Sequence, residues 1–295
     1  MMNTDNSKPV EFSDYYNPNI YTWCTNCGNY GIHAALKRAL VAENISPGNT
    51  MMFFDIGCNG NGSDKILGYR MHGLHGRAIP VAVGAHLANR KLQTIAFGGD
   101  GASLNEGVNH LVHAIRSDYN ILFILHNNEN FALTKGQASS ATETGRVCDA
   151  CPDGPVESSI NIMSFILAMN PSFAARSFSG DIHQMTDVIR AGIRHQGFSV
   201  VEIMQNCPTY NRYSGHEWYQ KRVYDVTKLA DYDKTDLKAA QNIAQDLKEK
   251  IATGVLYEKP RGDFYSKLVN RKDYKTELVE EVKAGEIGKL MEAFR

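Results

Sequence analysis

Apolar residues along the chain occur in two kinds of run. Short continuous runs are typical of buried strands, whereas apolar residues three and four apart indicate a helix with one buried face. Because the two kinds take turns, the sequence predicts an α/β fold with a mainly parallel sheet and helices on both faces. The predicted strands cover 51–56, 92–97, 121–125, 173–178 and 198–204. The predicted helices cover 30–41, 78–89, 104–115, 160–169 and 182–195.

The pattern changes towards the C-terminus. Segments 237–251 and 275–292 have the spacing of polar, amphipathic helices, and two such helices bury too little surface to form a domain of their own. We therefore expect three parts: an N-terminal arm at 1–22, a main domain at 23–210 and a helical extension at 211–295. The extension is expected to pack on the main domain or on a partner subunit.

Composition excludes several classes of function. The 295 residues carry a net charge of −1, so no basic field attracts nucleic acid or an anionic membrane. The longest apolar runs are too short to span a bilayer, and the polar first twelve residues do not resemble a signal peptide. We expect a cytoplasmic protein, in which the six cysteines are thiols or metal ligands rather than disulfides.

A glycine-rich turn directly follows the predicted strand at 92–97. In Gly98-Gly99-Asp100-Gly101 the backbone N–H groups can approach a phosphate closely, and the start of the next helix favours its negative charge. A carboxylate beside a phosphate typically recruits Mg²⁺. The following strand ends in His126-Asn127-Asn128, so Asp100 and Asn128 are expected to meet over one pyrophosphate.

Four cysteines have positions suited to a metal centre. Cys24 and Cys27 form a C-x-x-C pair, and Cys58 and Cys207 each follow a predicted strand. Such a set can supply the four thiolates of an iron–sulfur cluster. Glycines around Cys58 would let N–H groups turn towards the cluster and tune its potential.

A second C-x-x-C pair, Cys148 and Cys151, lies in a predicted loop. Three interpretations stay open: a surface dithiol, a metal site shared with a partner chain, and no function. A zinc site joining this pair to Cys24 and Cys27 is the competing hypothesis for the cysteines. The two pairs are more than 100 residues apart, whereas structural zinc sites usually draw their pairs from within about 15–20 residues.

The order and spacing of these motifs resemble the β subunit of 2-oxoacid:ferredoxin oxidoreductases. The resemblance runs from Trp23 to about Tyr210 and implies the thiamine diphosphate-binding fold. It is carried by the Cys24-to-Gly28 opening, the Ile56-Gly57-Cys58 turn, the run from His72 to Ala78, Gly99-Asp100-Gly101 with Asn127-Asn128, the run from Leu133 to Gln137, and Cys207-Pro208-Thr209-Tyr210-Asn211.

The resemblance implies three cofactors. Mg²⁺ would be held by Asp100, Asn128 and the main-chain carbonyl of Asn130. The residues implied to line thiamine diphosphate, besides Asp100, Asn128 and Asn130, are Gly57, Gly99, Gly101, Ala102, Ser103, Leu133 and Thr134. One [4Fe–4S] cluster would be bound by Cys24, Cys27, Cys58 and Cys207.

The implied activity is reversible oxidative decarboxylation of a 2-oxoacid to an acyl-CoA, with electrons passing through the cluster to ferredoxin. In the family the glutamate that activates thiamine lies on the pyrimidine-binding domain of an α subunit, so we expect an inactive chain alone and an αβ heterodimer or its dimer. The substrate stays open, with a preference for 2-oxoglutarate or broad specificity. The alternatives are a thiamine-dependent decarboxylase without a cluster and a non-catalytic, zinc-stabilised scaffold.

Three further polar side chains are candidates for contact with substrate. His75 and Arg77 precede a predicted helix and could face the cofactor or the substrate carboxylate; the alternative is a loop with satisfied polar groups. Lys65 could pair with the distal carboxylate of a dicarboxylic 2-oxoacid; the alternative is a solvated lysine.

Overall fold

A computed structural model describes residues 8–262, 267–268, 276–281 and 287–292. Among them are eight strands that form one sheet. In chain order the strands are β1 (Thr50–Phe54), β2 (Tyr69–His72), β3 (Gln93–Gly99), β4 (Ile121–Asn127), β5 (Phe173–Phe178), β6 (Phe198–Met204), β7 (Val223–Asp225) and β8 (Ile251–Glu258). Their order across the sheet is β2-β1-β3-β4-β6-β5-β8-β7.

The helices of the described residues fall between the strands and in the C-terminal region. They are α1 (Gly28–Ala42), α2 (Ala78–Ala88), α3 (Val108–Ser117), α4 (Ile162–Ala168), α5 (Ile182–Arg194), α6 (His216–Gln220), α7 (Leu237–Ile243) and α8 (Ile287–Glu292). Short 3-10 helices lie at Phe12–Tyr15, Pro47–Asn49, Gly60–Gly62, Val226–Lys228 and Leu278–Glu280, and one π-helical turn covers Ala102–Glu106.

The sheet is mainly parallel, and its strands are largely buried on both faces, except the edge strands β2 and β7. Strands β1 to β6 pair in parallel, and β8 runs antiparallel to β5. Side chains of β4 alternate between two cores, because successive residues of a strand point to opposite faces. Phe123 belongs to the core under α2, α3 and α4, whereas Ile124 belongs to the core under α1 and α5. This two-sided burial explains why β1 and β4 are largely continuous apolar runs.

The predicted α/β architecture is confirmed, but one helix of the main domain is divided. The run predicted as one helix at 104–115 is divided at Gly107 into the π-helical turn and α3. Gly107 approaches the backbone of Gly76 so closely that an added Cβ would lie 2.6 Å from its carbonyl oxygen. The turn therefore packs tightly against the loop before α2.

The C-terminal region contains strands that the pattern did not predict. The helix expected at 237–251 ends at Ile243, and Ile251 begins strand β8, so this prediction was wrong in its second half. The Asp246 carboxylate accepts hydrogen bonds from the backbone N–H groups of residues 248, 249 and 250, which gives the chain a local alternative to helix. The helix predicted at 275–292 lies partly outside the described residues; 3-10 helix Leu278–Glu280 and α8 lie within it.

The strand order brings several loops to one edge of the sheet. The chain goes from β4 to β5 and returns to place β6 between them, so loops after β1, β3, β4 and β6 meet at the carboxyl edge. Ligands of open parallel sheets bind at this edge. No helix in the described part of the chain is both long and apolar enough to traverse a bilayer.

Candidate functional site

A small cavity lies at the carboxyl edge of the sheet. Its walls come from the loops after β1, β2, β3 and β4, with Gln205 added from the end of β6. Most residues that the family resemblance implied for cofactor binding line it. They are Gly57, Gly99, Asp100, Gly101, Ala102, Asn128, Asn130, Leu133 and Thr134, and Cys58 and His75 line it too.

The glycine-rich turn leads from β3 into the π-helical turn at Ala102–Glu106. An added Cβ at Gly101 would lie 2.3 Å from the ring of Phe131, so any larger residue would displace that ring. The Ser103 hydroxyl donates a hydrogen bond to the carbonyl of Gly99 at 2.7 Å, so Ser103 braces the turn instead of lining the cavity. The first N–H groups of a helical turn lack carbonyl partners within it, which leaves them free to donate to a phosphate.

Asp100 is a buried carboxylate at the floor of the cavity, with 1% of its surface exposed. Its oxygens accept hydrogen bonds from the Ser139 hydroxyl and, at 3.4 Å, from the backbone N–H of Asn128. Burial raises the pKa of Asp100 to about 7, against the lowering effect of these hydrogen bonds. None of the ion pairs among the described residues includes Asp100, so its negative charge has no protein cation beside it.

The segment after β4 presents further oxygen atoms beside Asp100. The backbone N–H of Asn130 donates to Oδ1 of Asn128 at 3.1 Å, and the Asn130 amide donates to the Asn128 carbonyl at 2.8 Å. Oδ1 of Asn130 is buried and has no hydrogen-bond partner. A carboxylate without a counter-charge and an unpaired amide oxygen are donors of the kind that Mg²⁺ prefers. The residues present therefore fit a magnesium ion, although the unpaired oxygen is the side-chain Oδ1 of Asn130 and the resemblance implied its main-chain carbonyl.

The four cysteines expected to bind the cluster lie on three loops that hydrogen bonds hold together. Asn206 joins the loop of Cys207 to that of Cys27, since its amide donates to the Asn26 carbonyl at 2.8 Å and its carbonyl accepts from Gly28 at 3.2 Å. The indole of Trp23 donates to the Cys58 carbonyl at 2.7 Å. The first C-x-x-C pair, Cys58 and Cys207 are thus brought together by the fold.

The thiols of these four cysteines affect one another's pKa, and one of them has amide hydrogen-bond donors nearby. Burial, followed by the neighbouring thiols of Cys27, Cys207 and Cys24, raises the pKa of Cys58 to about 12. The side-chain amides of Asn29 and Gln205 donate to Sγ of Cys27 at 3.5 and 3.6 Å. Amide donors to sulfur are a usual means of tuning an iron–sulfur cluster. This donor set fits a cluster with thiolate ligands.

A single-metal site is not formed by these thiols. Across residues 8–262 and the shorter described segments, no three Cys, His, Asp or Glu side chains converge closely enough to hold one ion. Zinc bound to four sulfurs needs each of them about 2.3 Å from one point, whereas a four-iron cluster separates its thiolates more widely. The zinc site from Cys24, Cys27, Cys148 and Cys151 is therefore absent from the described residues.

The three side chains expected to contact substrate differ in their position relative to the cavity. His75 lines the cavity and packs edge-on against Phe131, with ring centroids 5.9 Å apart. Arg77 lies outside the lining, and its guanidinium donates to the Glu106 carbonyl at 2.8 Å, at the end of the π-helical turn. Lys65 is also outside the lining; it is buried and pairs with Asp64 at 2.7 Å. Of the three, His75 alone reaches the cavity.

Several residues of the site were not predicted from the sequence. His126, Gln205, Phe131, Asn59 and Ile56 line the cavity. Burial lowers the pKa of His126 to about 4, and its Nδ1 lies 2.9 Å from Oδ1 of Asn29. The position of His126 at the end of a strand was an available signal, because the next residues are those of the Asn-Asn motif.

Comparisons with known proteins identify the family of the chain. The family model described as "Thiamine pyrophosphate enzyme, C-terminal TPP binding domain" matches residues 48–203, just over half of the chain. A second model, which describes the C-terminal region of the pyruvate ferredoxin oxidoreductase β subunit, matches residues 207–273. The fold and the site thus define a thiamine diphosphate-binding protein.

Curated relatives narrow the class. The chain is 34% identical over 240 residues to the "2-oxoacid:ferredoxin oxidoreductase subunit beta" of a Sulfolobus species, covering 80% of this chain and 78% of that one. It is 35% identical over 253 residues to subunit beta of enzyme 2 from Aeropyrum pernix, covering 83% and 82%. The chain belongs to the β-subunit family of 2-oxoacid:ferredoxin oxidoreductases.

A solved structure shares the whole architecture. The 2-oxoglutarate:ferredoxin oxidoreductase from Magnetococcus marinus, with 2-oxoglutarate, coenzyme A and succinyl-CoA bound, superposes with a TM-score of 0.84 at 28% identity. The superposition covers 97% of this chain and 96% of that one. This agreement extends over the C-terminal region as well as the sheet.

Proposed function

We propose that this chain binds thiamine diphosphate, Mg²⁺ and one [4Fe–4S] cluster as the β subunit of a 2-oxoacid:ferredoxin oxidoreductase. With its α subunit it catalyses CoA-dependent oxidative decarboxylation of a 2-oxoacid and passes the electrons to ferredoxin. The reaction is reversible. The first substrate to test is 2-oxoglutarate, because the similar Magnetococcus marinus structure holds it.

One observation carries the proposal: Cys58, Asp100 and Asn128 line the same cavity. When bound, thiamine diphosphate supplies an electron sink for decarboxylation, and an iron–sulfur cluster supplies a carrier of single electrons. A thiol suited to the cluster beside oxygen donors suited to the diphosphate metal favours electron transfer over simple decarboxylation. A scaffold without catalysis would not need both sets of ligands in one cavity.

The proposed roles of the side chains follow from their surroundings. Asp100 and Asn128, with the Asn130 carbonyl, hold Mg²⁺, and the turn at Ala102–Glu106 receives the diphosphate. His126 is neutral at neutral pH, because its pKa is about 4, so it can hydrogen-bond in the cavity without adding charge. His75 is retained as a contact for the substrate, because it lines the cavity.

The proposal includes partners and location. The α subunit supplies the glutamate that activates thiamine and completes the pyrimidine side of the site, so the assembly is an αβ heterodimer or its dimer. Ferredoxin is the electron acceptor. Free thiols in all six cysteines are compatible with the reducing cytoplasm, where we place the protein.

Cofactor binding by an Asp100→Asn variant tests the proposal. The αβ complex is titrated with thiamine diphosphate in the presence of Mg²⁺, and binding is followed by calorimetry. Removal of the carboxylate should weaken binding by at least about tenfold, since a hard cation loses its charged ligand. The matched control is Asp231→Asn, an exposed aspartate away from the cavity. Equal affinity of the two variants would contradict the assignment.

A further inference from the structure

The second C-x-x-C pair lies in the long connection between β4 and α4, within a shorter loop that hydrogen bonds close at its base. The backbone N–H of Gly145 donates to the Pro155 carbonyl at 2.8 Å, and the Thr144 hydroxyl donates to the Glu157 carbonyl at 2.7 Å. These bonds close the segment at its base. Cys148 and Cys151 lie between them, within one closed loop.

The backbone holds the two cysteines in register for a disulfide. The N–H of Cys148 donates to the Cys151 carbonyl at 3.1 Å, and the N–H of Cys151 donates to the Cys148 carbonyl at 2.9 Å. Residues that exchange both hydrogen bonds in this way have Cα atoms about 5.5 Å apart. Disulfides join Cα atoms about 4.4–6.8 Å apart. The pair can therefore be oxidised with little displacement of its backbone.

The two thiols differ in accessibility and are close to each other. Cys148 is buried, with 8% of its surface exposed, and Cys151 is half-buried. Burial raises the pKa of the Cys148 thiol, and the adjacent Cys151 thiol, which is hydrogen-bonded to it, raises this pKa further. An external reagent thus reaches Cys151 first and finds Cys148 directly behind it.

The segment also contacts the loops of the cofactor cavity. The N–H of Ala150 donates to the Gly136 carbonyl at 3.2 Å, and the N–H of Gly136 donates to the carbonyl of Phe131, which lines the cavity. Arg146 forms an ion pair with Glu129, the residue after Asn128. The dithiol is therefore attached to the cavity walls at two points, although neither cysteine lines the cavity.

We propose that Cys148 and Cys151 form a reversible dithiol–disulfide pair that exchanges with organic disulfides. The Cys151 thiolate attacks one sulfur of the incoming disulfide, and the first thiol leaves. Cys148 then attacks Cys151 in the mixed disulfide and releases the second thiol. The organic disulfide is reduced to two thiols, which take up the two thiol protons, and the protein gains one S–S bond.

Mass spectrometry of the anoxically purified αβ complex tests this proposal. The complex is treated with glutathione disulfide, free thiols are alkylated, and the protein is cut with trypsin. Cleavage after Arg146 and Arg176 yields a peptide that contains both cysteines of the pair and none of the other four. We expect this peptide to lose two hydrogens and to regain them with dithiothreitol. Glutathione on both cysteines, an unreacted peptide, or zinc bound to the pair would each overturn the proposal.

Single variants distinguish the thiol that attacks the external disulfide from the thiol that completes the protein disulfide. In Cys148→Ser the attacking thiol remains without its partner, so one glutathione should stay attached to Cys151. In Cys151→Ser the remaining thiol is buried, so glutathione uptake should be at least about tenfold slower. Serine keeps the backbone hydrogen bonds of the turn, and the double variant shows the background. Equal uptake by the two single variants would contradict the assigned order of attack.

Discussion

The chain contains two C-x-x-C pairs with the same spacing and very different surroundings. Cys27 lies just before α1, with two side-chain amides at its sulfur and with Cys58 and Cys207 brought near by strand-end loops. Cys148 and Cys151 bond reciprocally to each other's backbone. The C-x-x-C motif therefore supplies two thiols in both places. The surrounding fold determines whether they lie beside further cysteines or only beside each other.

The electrostatics of the two regions differ as well. Behind the Asn-Asn motif, Arg176 and Glu202 form a fully buried ion pair at 2.8 Å, and Glu202 accepts a hydrogen bond from Asn127 at 2.9 Å. Beside the closed loop that contains Cys148 and Cys151, which we call the dithiol segment, the ion pair of Lys248 with Glu143 is largely exposed. The Arg176–Glu202 pair is thus shielded from water, whereas the Lys248–Glu143 pair is not.

The largest effect is expected from removing a cysteine that we propose as a ligand of the cluster. Cys58→Ala should abolish ferredoxin reduction, because loss of a direct ligand should cost more than the roughly 10–100-fold seen for outer partners of metal sites. The matched variant Cys148→Ala should reduce ferredoxin at the wild-type rate. Both are measured as 2-oxoacid-dependent reduction of ferredoxin by the αβ complex. Equal loss in the two variants would remove the distinction between the pairs.

The next effect is on stability. Glu202→Gln leaves the Arg176 guanidinium buried without a counter-charge, and two of its nitrogens already have no hydrogen-bond partner in the described structure. Removing one member of a buried ion pair costs about 3–5 kcal/mol. Urea unfolding should show this loss in the free energy of unfolding. A change below about 1 kcal/mol would mean that the pair contributes little to the cofactor side of the sheet.

The free energy of unfolding is expected to depend on pH through His33, which lies near the first C-x-x-C pair. Burial lowers the pKa of His33, which packs against Trp23, to about 3. Because the unfolded imidazole has a pKa near about 6.5, the unfolded state binds more protons between the two values, and stability falls as pH decreases through this range. From about pH 7 to about pH 5 this should remove about 2 kcal/mol.

The control for this prediction is a pair of variants. His33→Gln should lose that part of the pH dependence, whereas His183→Gln, at an exposed position on α5, should keep it. Urea unfolding at the two pH values measures both. If the His33 variant retained the full wild-type slope, the buried imidazole would not be its source.

The smallest effect is expected at the exposed pair beside the dithiol segment. Lys248→Ala removes the contact with Glu143, and such exposed pairs contribute at most about 1 kcal/mol. The loss should shrink further at high salt, since ions screen exposed charges. Urea unfolding at low and high ionic strength measures it. A loss as large as that of Glu202→Gln would contradict the difference between the two regions.

The central part of the sheet was largely predictable because its strands are buried on both faces. The bounds predicted for β5 and β6 are those observed, because apolar residues begin and end both strands, although each contains a charged residue, Arg176 or Glu202. Strand β8 was missed because its pairing depends on β5, far away in the chain. Its glycine at 254 and the polar segment before it carry little strand pattern.

The positions of site residues were predictable where the residues directly follow strands. They were not predictable where a residue comes from a loop that is distant in the sequence. Asp100 and Asn128 follow neighbouring strands, so their meeting follows from topology. Lys65 and Arg77 look equally suited to bind a carboxylate, yet their partners, Asp64 and the Glu106 carbonyl, hold them outside the cavity lining. Ser139, which hydrogen-bonds Asp100, comes from a distant loop with no motif of its own.

The most direct test of the central claim is the iron, acid-labile sulfide and zinc content of the anoxically purified αβ complex, compared between wild type, Cys58→Ser and Cys151→Ser. If Cys24, Cys27, Cys58 and Cys207 bind the cluster of this chain, Cys58→Ser should lose iron and sulfide in equal amounts, about four of each per β subunit. Cys151→Ser should match wild type. Iron and sulfide retained in Cys58→Ser, or zinc without sulfide in wild type, would contradict the account.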